Sequence, residues 1–319
     1  MRKLLAFAAF AGILVLAHAI PASASVSATP AKVEIRAERG AETTFTVTIS
    51  SDENQVMGLA VSTWDFARDS QGRPQRVASV DSATFRGCAE WLTPQGVADS
   101  LVTKGEDMDV PVVVRVPEDA LWGSHSAYLQ LKTMPPGVKS GVAISYALNV
   151  LVVVTVEPAS RGVVPRPGTV EAGPVLSRRV EIAEVAVPSL NMNGAVPLRA
   201  VLTNTGNVHA DVRARFDIVQ GGRVVGSVPL NAFTLLPGDR FPITAEWSRP
   251  PLLGKYDLRF VAEVADGSPL TKAASLWVIS WTAIGIVCGV LGVLGVALML
   301  VRKYVHIEIR RTAPHPETS

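Results

Sequence analysis

Over much of its length this chain places an apolar residue at every second position. Threonines separate Phe45, Val47 and Ile49, and a period of two is the spacing of a strand that buries one face. Similar runs, with turn-forming residues between them, cover 55–66, 108–116, 122–132 and 141–157. The longest run has its apolar face on Ile144, Tyr146, Leu148, Val150, Val152, Val154 and Val156. The pattern predicts an all-β fold.

A stretch rich in proline and glycine interrupts the alternation at residues 159–179. This composition is typical of a stiff, extended linker, so the sequence predicts two domains, at 25–158 and 180–275. Strand-like runs in the second domain lie at 197–203, 208–219, 223–228, 241–247 and 256–264. The number and spacing of these runs favour two immunoglobulin-like β-sandwiches.

The chain has only two cysteines, Cys88 and Cys288. Cys288 falls in a long apolar run near the C-terminal end, so Cys88 has no partner for a disulfide within its domain. A buried hydrophobic role and a reactive thiol both stay open for Cys88, and the buried role is the commoner one.

Residues 1–24 have the composition of an export signal. Two basic residues precede an apolar run, and Ala22 and Ala24 satisfy the small-x-small rule for cleavage. We therefore expect a mature chain that begins near Ser25. No Asn-x-Ser/Thr acceptor site occurs in the sequence, which favours a bacterial cell-surface protein.

A second apolar run, at 276–301, carries no charge and is long enough to cross the roughly 30 Å hydrocarbon layer as a transmembrane helix. The aromatic and basic residues expected at a membrane interface are Trp277, Trp281, Arg302, Lys303 and Tyr304. Because basic residues favour the cytoplasmic side, we expect a single-pass type I protein of the cell membrane. Its ectodomain would be extracellular, and residues 302–319 would form a cytoplasmic tail.

Within this run, Gly285 and Gly289 form a small-xxx-small pair. Such pairs let two membrane helices approach until their backbones touch. A homodimer through the membrane helix is therefore one expectation.

The charges exclude nucleic acid as a partner. The formal net charge is +2, from 30 basic and 28 acidic residues. The signal holds two of the basic residues, and the tail holds four more with two acidic ones. The predicted ectodomain is therefore nearly neutral, without the basic stripe that phosphate-backbone binding requires.

The sequence offers no starting point for catalysis, so we expect no enzyme, no cofactor and no metal site. His125 and His209 fall in different predicted domains, and no nucleophile elbow, zinc-binding helix or phosphate-binding loop occurs. Exposed tryptophans would suit stacking on a glycan, and Trp91 and Trp122 lie where loops are expected. These two are weak candidates for a binding site.

Short motifs at predicted strand ends and turns give a family resemblance. In the first domain they are Ser27-Ala28-Thr29-Pro30, Trp91-Leu92-Thr93-Pro94 and Val114-Arg115-Val116-Pro117. In the second they are Leu202-Thr203-Asn204-Thr205-Gly206-Asn207 and Leu236-Pro237-Gly238-Asp239. With the signal, the two sandwiches, the helix and the basic tail, the chain resembles the WxL-interacting proteins of Gram-positive bacteria. The first domain is also similar to the N-terminal domain of pilus-assembly chaperones.

The two resemblances imply different functions. The first implies a non-enzymatic cell-envelope adaptor that binds peptidoglycan, a surface protein partner, or both. The second implies a chaperone-like or accessory subunit that assists a secreted or membrane protein by strand addition at an exposed sheet edge. Both remain open on the sequence alone.

Overall fold

A computed structural model describes residues 26–311 except 53–55, 78–85, 97–99, 135–144, 159–174, 193 and 266. The predicted signal peptide with Ala22 and Ala24 lies outside the described residues. So do Ile144, residues 159–174 of the predicted linker and residues 312–319 of the predicted tail.

The chain divides into two compact units. Unit 1 comprises the described residues up to Ala67 and those of Pro74–Leu176, and unit 2 comprises Arg68–Arg73 and the described residues from Ser177 onward. Apart from the short segment at Arg68–Arg73, the units follow one another along the chain.

Short, mostly alternating strands make up the first half of the chain. They are β1 (Val26–Thr29), β2 (Lys32–Ala37), β3 (Glu42–Ser51), β4 (Met57–Trp64), β5 (Phe66–Arg68), β6 (Pro74–Arg76), β7 (Leu92–Pro94), β8 (Leu101–Val102), β9 (Asp107–Arg115), β10 (Gly123–Met134) and β11 (Ala147–Val156).

Unit 1 is an immunoglobulin-like β-sandwich. One sheet has the order β1-β3-β9-β7 and the other β2-β11-β10-β4-β8, while β5 and β6 form a separate two-stranded ribbon. Both sheets contribute to one core, with Val47 and Val112 from the first and Leu129 and Val152 from the second. The apolar alternation therefore marks the buried face, as predicted.

The second half of the chain adds nine strands within the described residues. They are β12 (Val180–Ala186), β13 (Leu190–Asn191), β14 (Val196–Asn204), β15 (Ala210–Gln220), β16 (Arg223–Pro229), β17 (Phe233–Leu235), β18 (Arg240–Trp247), β19 (Leu253–Val264) and β20 (Leu270–Ile279).

Unit 2 is also a β-sandwich. A three-stranded sheet runs β12-β14-β18, and a six-stranded sheet runs β13-β20-β19-β15-β16, with β17 also paired to β15. Phe216 and Phe260 pack with ring centroids 4.9 Å apart in its core. The β15–β16 hairpin turns at Gly221 and Gly222, whose φ values of 57° and 81° lie in the left-handed region that glycine adopts without strain.

One helix, α1 (Trp281–Arg311), follows β20. The predicted helix start at 276 is wrong: β20 runs to Ile279, because Leu276 and Val278 alternate into the core of unit 2. Ser280 then caps the helix, its Oγ accepting a hydrogen bond from the N–H of Thr282 at 3.2 Å. The helix itself continues to Arg311, beyond the predicted end of the membrane span at 301.

Residues Trp281–Tyr304 of α1 have a mean hydropathy of 2.8 and no buried part. Twenty-four residues give a helix about 36 Å long, more than the roughly 30 Å of a bilayer's hydrocarbon layer. By length and composition, α1 can cross a membrane.

Candidate functional site

The strand β11 is open along part of one edge. It pairs with β10 from Ala147 to Val156, but with β2 only from Leu151 onward. The chain of β1 joins the other sheet just before β2 begins. Among the described residues, no strand therefore pairs with Ala147–Asn149 on the side of β2; we call this segment the open edge.

The direction of the backbone groups follows from the pairs around the open edge. The N–H of Thr133 in β10 donates to the carbonyl of Tyr146, whereas the N–H groups of Leu151 and Glu157 donate to the carbonyls of Ala31 and Ala37. Even-numbered residues of β11 thus bond to β10 and odd-numbered ones to the side of β2. The N–H and C=O groups of Ala147 and Asn149 therefore face the position where another strand could pair.

The side chains beside the open edge suit an incoming strand. Tyr146 and Leu148 are half-buried and pack against the core of unit 1, while Ala147 and Asn149 are exposed on the opposite face. The carboxamide of Gln130 donates to Asn149 Oδ1 at 3.1 Å. No charged residue or proline occurs at 145–150, so neither repulsion nor a missing N–H opposes pairing.

Other strands at sheet margins carry features that oppose pairing. The edge strand β2 bears Lys32 and Glu34, which form an ion pair, and Arg36, which pairs with Glu157 at 3.3 Å. Proline occurs in three further edge strands, in β7 at Pro94, in β16 at Pro229 and in β18 at Pro242. The uncharged open edge of β11 differs from all of these.

Trp91 and Trp122 are both half-buried rather than exposed. The Trp91 ring packs against the His125 ring with centroids 4.5 Å apart. The Arg39 guanidinium covers the Trp122 ring, its Cζ 3.9 Å from the ring centroid. The structure thus gives each of these predicted glycan contacts an intramolecular partner.

Near these tryptophans, Asp65 and His125 hold a buried turn in place. The Asp65 carboxylate accepts the N–H groups of Cys88 and Ala89, each at 2.9 Å. His125 Nε2 lies 2.8 Å from the Leu121 carbonyl and Nδ1 3.3 Å from the Gly87 carbonyl. A hydrogen bond from Nε2 to Leu121 fits a neutral imidazole.

Burial controls the ionisation of these groups. It lowers the pKa of His125 and raises the pKa of Asp65. Burial, reinforced by the charge of Asp65, also raises the pKa of the Cys88 thiol well above its usual range. Cys88 is 2 % exposed, and a buried protonated thiol is a poor nucleophile, so its hydrophobic role is the better interpretation.

The predicted membrane residues fall on two elements. Trp277 lies in β20 opposite Lys255, and not in the helix. The prediction assigned Trp277 to the membrane segment because its neighbours Leu276 and Val278 are as apolar as the helix, although both are buried in the core of unit 2. Trp281 is the first residue of α1, and Arg302, Lys303 and Tyr304 are exposed near its other end. Gly285 and Gly289 lie within the helix with open space around them.

Comparison by sequence gives no family for this chain. No family model matches it, and no curated protein matches it. The resemblance to WxL-interacting proteins therefore has no support from either comparison.

Several of the solved structures to which this chain is similar are pilus chaperones. One is the CsuC–CsuE chaperone–tip adhesion subunit complex from archaic Csu pili of Acinetobacter baumannii, at 11% identity and a TM-score of 0.41, covering 80% of this chain and 99% of that chain. Another is the class 5 fimbriae chaperone CfaA, at 8% identity and a TM-score of 0.40, covering 78% and 98%. A third is the Pseudomonas aeruginosa CupB2 chaperone, at 14% identity and a TM-score of 0.35, covering 78% and 100%. Likenesses at this level transfer no function.

The sequence predicted the strand β11 but not its open edge. Alternation shows which face of a strand is buried, whereas the free edge depends on where β2 begins relative to β11. One signal was present: the apolar run that contains β11 is much longer than the run at 32–36 that pairs with it.

Proposed function

We propose that this chain is a membrane-anchored, non-enzymatic accessory protein of the bacterial cell envelope. It binds an extended segment of a secreted or membrane protein by strand addition at the open edge of β11. The observation that carries this function is the pair of odd-numbered residues, Ala147 and Asn149, whose backbone groups face a strand position that no described strand of the chain occupies.

Two ladder positions give up to four backbone hydrogen bonds to an added strand. At about 0.5–1.5 kcal/mol net for each bond, they would contribute about 2–6 kcal/mol in total. Backbone pairing favours an extended conformation over a particular sequence. Apolar side chains of the partner next to Tyr146 and Leu148 would extend the core of unit 1 and supply the remaining affinity and selectivity.

Retention at the membrane is the second part of the proposal. Helix α1 supplies the span, and Arg302 and Lys303 follow the apolar stretch, which favours a cytoplasmic C-terminal end and both sandwiches outside the cell membrane. The partner would then be captured after its own export.

Site-specific crosslinking of the full-length chain in its native membrane tests strand addition. A photoreactive residue at Ala147 should give one adduct of defined mass. A photoreactive residue at Ala273, exposed on β20 of unit 2, provides the control position and should give none.

Two substitutions separate backbone pairing from side-chain contact. Asn149→Pro removes an N–H that faces the vacant position and should abolish the adduct. Asn149→Thr loses the side-chain amide but keeps the backbone N–H, and should retain it. An adduct that survives Asn149→Pro would show that binding does not use this edge.

Cosedimentation with purified peptidoglycan tests the adaptor function that the sequence also predicts. Sedimentation of the detergent-solubilised full chain above a control β-sandwich, unchanged by Asn149→Pro, would support glycan binding. No sedimentation together with the Ala147 adduct would leave strand addition as the function.

A further inference from the structure

Most of the exposed apolar side chains of unit 2 lie at one end of its six-stranded sheet. Outside helix α1, the large apolar residues of unit 2 that are exposed within the described part of the chain are Leu190, Val224, Val225, Leu252, Leu253 and Trp277. Each is 47% to 62% exposed, so they do not contribute to the core of the sandwich.

Strand register places four of these residues at the end of the six-stranded sheet where α1 begins. Trp277 lies two residues before the end of β20, and it pairs with Lys255 on one side and with Leu190 on the other. Leu253 pairs with Ile279, the last residue of β20, and Leu252 precedes it. Val224 lies farther from α1, because it pairs with Val219, and Val219 pairs with Asp257 opposite Ser275.

Leu190, Leu252, Leu253 and Trp277 form the helix-proximal end of unit 2. The loops 192–195 and 248–252 at this end contain Arg249 as their single charged residue. Lys255 stands near the start of β19, and Glu246 stands near the end of β18; the side chains of Arg249, Lys255 and Glu246 are all exposed. The two basic side chains outnumber the one acidic side chain. An apolar surface flanked by cations complements the interface of an anionic bilayer.

The connection to α1 is too short to separate this end from a membrane. A single residue, Ser280, joins β20 to α1, and its N–H donates to the Leu252 carbonyl at 2.7 Å. The polar headgroup layer is roughly 5–7 Å thick on each side, and a strand rises about 3.3 Å per residue. The row of Leu253 and Ile279 therefore starts within the headgroup layer, and the row of Trp277 lies about 10 Å from Ser280.

We propose that the helix-proximal end of unit 2 is a lipid-binding surface that inserts into the headgroup layer of the membrane that α1 spans. Leu252 and Leu253 enter deepest, Trp277 contacts the boundary, and Arg249 and Lys255 bind lipid phosphates. This rests on the membrane anchoring proposed above, and adds that unit 2 lies on the bilayer instead of extending freely from it.

Spin labels on the full-length chain reconstituted into phospholipid vesicles test the proposal. Each label is attached to one introduced cysteine in a Cys288→Ser background, where the buried Cys88 does not react. Labels at Leu253→Cys and Leu252→Cys should be several-fold more accessible to membrane-dissolved oxygen, relative to a water-soluble nickel complex, than a label at Ala273→Cys. Ala273 is the matched control because it is exposed on the same strand as Trp277, four residues earlier.

A label at Leu291→Cys within α1 reports insertion of the helix separately. If that label lies in hydrocarbon while those at Leu253 and Leu252 are as water-accessible as the one at Ala273, the lipid-binding surface is refuted and the anchor stands. If the Leu291 label is itself water-accessible, the anchoring fails and this inference fails with it. If this end instead binds a protein partner, the label at Leu253 should be water-accessible in vesicles of pure lipid. That result would also refute the lipid-binding surface.

Discussion

The open edge of unit 1 and the helix-proximal end of unit 2 are both exposed, but they differ in chemistry. The open edge offers backbone N–H and C=O groups on an uncharged strand, whereas the helix-proximal end offers apolar side chains flanked by cations. Backbone hydrogen bonds are directional and fix the register of one extended partner. Apolar contact has no direction, so it suits a fluid lipid layer, and the two surfaces can act at the same time.

Proline substitutions give the largest effect and test whether the edge is open. Leu148→Pro should destabilise unit 1 by about 3 kcal/mol, because it removes a bond to β10 and leaves a buried acceptor unpaired. Asn149→Pro should cost under about 1 kcal/mol, because no strand among the described residues pairs with the N–H of Asn149. Denaturant unfolding measures both, and equal losses would show that this edge is already paired.

The junction between unit 2 and α1 gives the next largest effect. Ser280→Ala removes the cap on Thr282 and should cost about 1 kcal/mol of local stability. Hydrogen exchange at the Thr282 amide should become roughly fivefold faster, which corresponds to that free energy. The control is Ser275→Ala in β20, which lies farther from the helix start. This substitution should leave the exchange rate of the Thr282 amide unchanged.

High salt should weaken lipid binding at the helix-proximal end of unit 2 but not strand addition at the open edge of unit 1. Raising the ionic strength from about 0.1 M to about 1 M shortens the Debye length from about 10 Å to about 3 Å. In vesicles containing phosphatidylglycerol, the label at Leu253 should then move toward water as the contacts of Arg249 and Lys255 weaken. The Ala147 adduct should keep its yield, and an equal loss of both signals would contradict a backbone-mediated edge.

The smallest expected effect is a dependence of the stability of unit 1 on the protonation of His125. Burial lowers the pKa of His125 below its ordinary 6.5 in the folded state, so the unfolded chain binds this proton more tightly. The stability of unit 1 should therefore fall as pH drops below about 6.5. Burial raises the pKa of Asp65, so its effect on stability has the opposite sign to that of His125. The folded state binds the Asp65 proton more tightly than the unfolded state, and protonation of Asp65 therefore adds stability at lower pH.

Exchange at the Cys88 and Ala89 amides, which Asp65 holds, measures this dependence. Their protection should decrease between about pH 7 and about pH 5 in the wild type. His125→Gln has no titratable ring and should flatten the decrease. An unchanged slope in that variant would assign the dependence to another group.

Local patterns predicted much of the fold. The alternation around Phe45 and Val47 identified β3, and the Gly221-Gly222 pair identified the turn between β15 and β16. The short strands β7, β8, β13 and β17 were not predicted, since two or three residues are too few to show a period. The site was predicted only as a class of mechanism, strand addition, and the tryptophans proposed for glycan contact are half-buried.

The sequence by itself determined the buried faces of the long strands and an apolar stretch able to cross a membrane, because both depend on spacing along the chain. The tertiary structure decided which edge stays open, since that depends on pairing between β2 and β11, which are more than a hundred residues apart. It also decided where the sheet ends and the helix begins. Leu276 and Val278 have the same apolar character as the helix that follows, and only their packing in the core of unit 2 assigns them to β20.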